Sequence, residues 1–275
     1  MDASPREQID AFPSNIVVLA THGSYFVPDL VRSKLSAQIS ALLHRGTRNF
    51  SDFASRKVIP DDVPPSQKVV AGFSRAIGDP NRATDAPDLF RETDFNGMPV
   101  WETPLTSDEK RTLIDNYHEK YHDAVLKAIE TAESKNKRVI VFDMHDTGNL
   151  MMSPNPEEDT PRENPFPQIC LGDKDGESCD PVIMQDFAEA IERHLGMKPQ
   201  LNDPYKGGFV TTKYGKDYND SLPDAEKFSR NVIQIELGRF LYVNEKTQKP
   251  DRVKIDKIKA GLRAAMKEVG DKYGH

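Results

Sequence analysis

One stretch limits the fold most. Val139, Ile140, Val141 and Phe142 run without interruption into Asp143, Met144, His145 and Asp146, with Gly148 two residues further on. A continuous β-branched run closed by a glycine turn reads as a strand buried on both faces of a parallel sheet. In open α/β sheets ligand chemistry collects beyond the carboxyl ends of such strands. A His followed by Asp at that edge, with another Asp two residues before it, can hold a metal. The segment from Asn15 to Ala20 repeats the design and ends in Thr21, His22, Gly23 and Ser24.

The 275 residues are enough for one large α/β domain. The chain carries 37 basic and 44 acidic residues, a net charge of −7, and its basic residues form no block. That argues against nucleic acid as the main partner and gives no reason to expect an anionic membrane surface. No apolar run approaches the ~20 residues that span a bilayer. The polar start has no secretory h-region, so the expectation is a soluble, cytoplasmic protein. Cys170 and Cys179 sit nine apart in a loop-like stretch; they could pair, but so few cysteines suit a reducing compartment better.

Along the chain, a short lead-in ends at Pro13. Leu30, Leu35, Ile39, Leu42 and Leu43 predict a helix over 28–44. A basic turn at 45–49 precedes Ser51, Asp52, Phe53 and Ala54, and a proline-rich break at 60–65 precedes a short strand at 68–73. Residues 83–105 form a surface loop with the single tryptophan, Trp101. Thr106 to Glu109 cap a helix that runs to about 134. The proline-rich stretch 151–167 is long for a loop and suits a lid or substrate wall. A helix over 180–194 stops at Gly196. Gly207 and Gly208 make a turn before a β-leaning segment at 209–212, a last strand covers 231–237, and a terminal helix covers 254–269. With no repeat and no linker, residues 1–275 are expected to form one domain.

His22 and His145, at two strand ends, are the strongest metal signal. Hydrolytic zinc takes three protein ligands from His, Asp and Glu and leaves a position for water; Asp52 and Asp146 are both open as the third. The rival is His118-Glu119-Lys120-Tyr121-His122, formally H-E-x-x-H. Glu236 is a carboxylate inside an apolar strand, where an unpaired charge is costly. It is either a proton acceptor beside a metal site or a structural ion-pair partner of Arg239 or another arginine. Arg75, Asn81 and Arg82 lie in a loop where guanidinium groups would suit an anionic substrate.

In order and spacing the chain resembles the N-formylglutamate amidohydrolase family from His22 to about Glu245. The likeness rests on the Thr-His-Gly-Ser tip with Pro28, Ser51-Asp52-Phe53, Ser74-Arg75 with Asp79-Pro80-Asn81-Arg82, Tyr121-His122, Asp143-Met144-His145, Leu171-Gly172, Pro204 to Gly208, and Gln234-Ile235-Glu236 with Arg239 and Tyr242. It implies an α/β fold with a mixed, mostly parallel sheet flanked by helices, phosphorylase/hydrolase-like and similar to zinc carboxypeptidases. It also implies one Zn²⁺ held by His22, His145 and Asp52, with Glu236 as general base and Arg75 on the oxyanion. Asn81 and Arg82 would take the substrate carboxylate, and Gly207, Gly208 and Thr211 would line the substrate wall. The implied substrate is a small anionic N-acyl amino acid. Cleavage of short peptides and a non-catalytic carboxylate- or metal-binding relic are the alternatives. The chain departs from the family where Thr-His-Gly-Ser replaces Pro-His-Ser-Gly, where Asp146 replaces a Ser, and where Leu-Gly-Arg replaces Ile-Asn-Arg after Glu236. These changes bear on which acyl amino acid is preferred.

Overall fold

A computed structural model describes residues 11–44, 51–52, 55–153, 155–215 and 229–274. The lead-in up to residue 10, the turn at 45–49, Phe53, Ala54 and the side chain of Leu43 lie outside the described residues. In chain order the elements that matter are β1 (Ile16–Ala20), α1 (Asp29–Arg32), α2 (Ala37–His44), β2 (Lys68–Val70), α3 (Ser107–Leu113), α4 (Glu119–Glu133), β3 (Val139–Thr147), β4 (Leu150–Met151), β5 (Thr160–Pro161), β6 (Ile169–Gly172), α5 (Pro181–Leu195), β7 (Gln200–Leu201), α6 (Phe209–Tyr214), β8 (Arg230–Gly238) and α7 (Arg252–Tyr273). Six strands form one sheet in the order β2-β1-β3-β8-β6-β7. The first four are parallel, β6 is antiparallel to β8, and β7 is parallel to β6.

Side-chain alternation assigns each strand residue to one of two cores. Ile16, Val18, Ile140, Phe142, Met144, Ile233 and Ile235 pack under α5 and α7. Val17, Leu19, Val139, Val141 and Val232 pack on the other face with Tyr121, Val125 and Ile129 of α4. Period two then carries Asp143, His145 and Thr147, and Gln234 and Glu236 on β8, onto the α4 face at the carboxyl end of the sheet. There the register sets His145 opposite Glu236. Polar residues expected at a tip beyond the strand are thus inside it, because β8 pairs with β3 as far as Thr147. No helix among the described residues is long and apolar enough to cross a membrane.

Several local expectations hold. Thr106 and Glu109 make a reciprocal capping box, with Glu109 Oε2 accepting from Thr106 N–H at 2.7 Å. Asp180 caps α5 through Val182 N–H at 2.9 Å, and Gly196 ends it in the left-handed region at φ 69°. Others do not. The single helix expected over 28–44 is broken, because Ser36 N–H donates to Val100 O at 2.9 Å and Leu35 bridges Trp101. The β-leaning segment after Gly208 is the helix α6. Asn81 Oδ1, from a distant loop, accepts Val210 N–H at 2.9 Å, and Val210 and Tyr214 bury one helical face. Cys170 lies in β6 rather than a loop, and it and Cys179 are buried free thiols.

Gly172 is needed where β6 passes beneath the 205–207 backbone. A Cβ there would stand 2.6 Å from Lys206 C, 2.7 Å from Gly207 N and 2.8 Å from Tyr205 O. Backbone cannot rotate aside as a side chain can. Gly172→Ala is expected to cost about 1–3 kcal/mol, the usual range for overpacking, read as a lower urea midpoint at unchanged slope. An unaltered midpoint would show that this segment yields freely.

Candidate active site and metal centre

His22 sits in the turn after β1, and its carbonyl is held twice, by Asp52 N–H at 3.0 Å and Ser51 Oγ–H at 3.1 Å. The same pairing brings the Asp52 carboxylate beneath the imidazole. His145 enters from β3. The Nδ1 atoms of both rings face one oxygen, Asp52 Oδ2, at 3.3 Å from His22 and 2.8 Å from His145. The three ligand atoms lie within 4.8 Å of one another, and all three residues are buried.

Each ring also turns its Nε2 to a second buried carboxylate, Asp79 Oδ1 at 2.7 Å for His22 and Asp143 Oδ2 at 2.8 Å for His145. An imidazole that donates from Nε2 presents a lone pair at Nδ1. Two such lone pairs directed at an anionic oxygen repel unless something positive stands among them. The donor set suits one divalent metal ion, and carboxylates that orient ligand imidazoles are the usual outer support of such a site. Asp79 is fixed in turn by Arg75 Nε at 3.0 Å and Nη2 at 2.5 Å, and Asp143 by Thr21 Oγ1 at 2.5 Å.

The charges follow this geometry. Burial would raise the Asp52 carboxyl, but the two imidazoles outweigh it and hold it well below the usual range. Burial would lower His145, yet Asp143, Asp52 and Glu236 raise it well above the ordinary histidine value. Without metal a proton on His145 therefore supplies the positive charge the cluster requires. Asp143→Asn or Asp79→Asn should weaken metal affinity about 10–100-fold, the range for outer-shell carboxylates. Competition with a chromogenic chelator measures this, and unchanged affinity would deny them the orienting role.

Glu236 faces the same cluster and is 7% exposed. Thr147 Oγ1 donates to its Oε2 at 2.8 Å and Gln234 Nε2 to its Oε1 at 3.1 Å. Burial, partly offset by His145 and reinforced by Asp52, raises its pKa to about 7. Arg239 is not its partner. Arg239 Nε donates to Asp146 Oδ1 at 2.5 Å, and Tyr242 O–H donates to Asp146 Oδ2 at 3.1 Å. Asp146 is therefore occupied, and the group that meets both histidines contains Asp52.

A cleft of about 350 Å³ opens above this cluster. His22, Arg75, Asn81, Arg82, His145, Gly207, Gly208 and Glu236 all line it. Thr211 does not: it is fully buried, and its hydroxyl accepts Gly208 N–H at 3.2 Å. Arg82 is partly engaged, through Nε to Asp88 at 2.7 Å and Nη1 to Asn81 O at 2.7 Å. The H-E-x-x-H pair is scaffold. His118 Nε2 donates to Arg82 O at 2.8 Å and His122 Nε2 to Pro80 O at 3.1 Å, so α4 and the turn before it grip the 80–82 loop from beneath. Burial, Lys213 and His118 lower His122 to about 3 and keep it neutral. The orienting roles of Asp79 and Asp143 escaped the sequence reading. Their traces were the four-residue spacing from Arg75 to Asp79 and the two-residue strand period from Asp143 to His145.

The model of the family described as N-formylglutamate amidohydrolase matches residues 14–243. An N-formylglutamate deformylase of Pseudomonas putida is 25% identical over 189 residues, 64% of this chain and 64% of that protein. One of Pseudomonas aeruginosa is 24% identical over 211 residues, 73% of this chain and 72% of that protein. The chain thus spans just under two thirds of the length of the Pseudomonas putida relative. The crystal structure of an N-formylglutamate amidohydrolase from Ralstonia eutropha JMP134 has the same fold, with TM-score 0.73 and 24% identity over 96% of this chain and 94% of that one. A protein from Agrobacterium tumefaciens, gene product Atu2144, matches with TM-score 0.65 and 19% identity over 97% and 94%.

Proposed function

The chain belongs to the N-formylglutamate amidohydrolase family, and from that premise we propose that it hydrolyses the amide of a small N-acyl amino acid, with N-formylglutamate as the reference substrate. The observation that carries this reading is the convergence of His22, Asp52 and His145 directly beneath a cleft that His22, His145 and Glu236 line. A divalent ion, for which we propose zinc, would be held by those three residues and would supply Lewis-acid polarisation of the acyl carbonyl and a more acidic water. Glu236 takes the proton of the attacking water and passes it to the leaving nitrogen. Burial raises this carboxyl above its ordinary value, which suits it to take up a proton and return it near neutrality. Arg75 lines the cleft and keeps its Nη1 clear of the pair with Asp79, and this is the donor assigned to the developing oxyanion. Removing such a donor typically costs about 3–4 kcal/mol of barrier. Asn81 and Arg82 line the cleft as the partners of the substrate carboxylate, and Gly207 and Gly208 complete the same wall, Gly208 packed so closely on Asn81 that a Cβ there would clash with its Nδ2. A reducing, cytoplasmic setting, in keeping with two buried free thiols, belongs to the same proposal.

Metal analysis paired with a panel of N-formyl amino acids and dipeptides tests it. The expected result is about one zinc per chain and release of formate, with dipeptides left intact. A fully loaded protein that cleaves no N-acyl amino acid would end the proposal.

A further inference from the structure

The basic side chains lining the cleft are unequal. Arg75 is paired with Asp79, Arg82 with Asp88, Lys206 with Asp175 and Arg239 with Asp146. Arg162 lines the same cleft and, among the described residues, has no carboxylate within ion-pair distance. Glu245 senses its charge, but Glu245 accepts Asn149 N–H at 2.8 Å instead. The acids of the floor are also taken: Asp52, Asp79 and Asp143 by the imidazoles, and Asp146 by Arg239 and Tyr242.

The position of Arg162 is fixed rather than incidental. It follows β5 directly, and its backbone N–H donates to Asn149 O at 2.8 Å, closing the base of the β4–β5 hairpin. Asn149 Oδ1 accepts Phe166 N–H at 2.6 Å, and the buried Phe166 ring stacks on Tyr205 across the cleft wall at 5.5 Å. The proline-rich stretch thus delivers one guanidinium to the cleft on a buttressed hairpin. Five donors in a rigid fork, with no acceptor among the described residues, suit a carboxylate arriving with the ligand.

We propose that Arg162 is a specificity-determining residue that binds a substrate carboxylate at the end remote from the scissile amide. The proposal rests on the amidohydrolase reading for the identity of the substrate, not for the existence of the subsite. An N-acyl acidic amino acid offers two such groups, the α-carboxylate and the side-chain carboxylate, and the test separates them.

The measurement is calorimetric binding to full-length, zinc-loaded protein in the Glu236→Gln background, so that probes are not consumed. The probes are N-formylglutamate, its side-chain amide and its α-amide. Arg162→Ala should weaken N-formylglutamate about 10–100-fold. It should leave unchanged the one amide that lacks the carboxylate it reads, which identifies that carboxylate. Arg162→Lys should recover part of the loss, and Arg162→Gln replaces the Ala variant if the latter fails to fold. Equal weakening of all three probes, no weakening of any, or no binding by the parent protein would overturn the proposal. Release of formate by the unmutated protein is scored separately. Binding as expected without any turnover would sink the hydrolase reading and leave the subsite standing, whereas turnover indifferent to Arg162 would do the reverse.

Discussion

Glu236→Gln is expected to lower kcat about 10³-fold, within the range a positioned general base supplies, and at the same time to make the metal-free protein more stable. The two effects share one cause. Burial holds the carboxyl near pKa 7, far above the value it has in an unfolded chain. Between about pH 4.5 and 7 the folded state therefore keeps a proton that the unfolded state has released, and stability is lost as pH rises through that window. Gln carries no such titration. Relative to the parent, the variant should gain up to about 3 kcal/mol between pH 4.5 and 8, measured by urea unfolding in chelator at both ends of the range. The parent kcat/KM should fall as pH drops below the pKa of this group, with a midpoint below 7 once a cation sits beside it. A variant with full turnover, or one that gains nothing at pH 8, would remove Glu236 from the proton-transfer role.

How far the sequence reached depends on how local each interaction is. The buried strands, the cap of α3 and the stop of α5 are legible because each is written in a few adjacent residues, such as Thr106 with Glu109 or Leu195 with Gly196. His22 and His145 stood out because a histidine at the end of an apolar run breaks a simple pattern. Asp52 did not. Nothing near it in sequence distinguishes it from Asp146, and only the backbone pairing of Asp52 N–H with His22 O brings it under both rings. Alternation along β3 does count against Asp146, which falls on the face of Tyr242, whereas Asp143 shares the face of His145. The helix after Gly208 is not legible in the sequence because its N-terminal donor is satisfied by Asn81, 129 residues away. Thr211, which the resemblance sets in the cleft wall, holds the helix start instead.

Asp52→Asn should do the opposite of Glu236→Gln to the metal-free protein, although both remove a buried acid from one site. Asp52 is held well below its usual pKa by the imidazoles, so its contribution to stability is present above the unfolded carboxyl value and is lost as pH falls toward the depressed one. His145, raised by Asp143 and Asp52, would keep its charge with one partner gone. Removing half of a buried pair costs about 3–5 kcal/mol, and the loss should be seen at neutral pH in chelator. The larger consequence concerns zinc. With the shared anion replaced by an amide, affinity should fall by more than the ~100-fold attributed to outer-shell groups. Zinc at 100 times its Kd stabilises a protein by about 2.7 kcal/mol, so the parent should melt higher when loaded and the variant should not respond at that concentration. Equal zinc-induced shifts in the two proteins would show that the ion is held elsewhere. Each single variant leaves the other acid in place, so the contrast in sign assigns one carboxylate to holding charge and the other to exchanging protons.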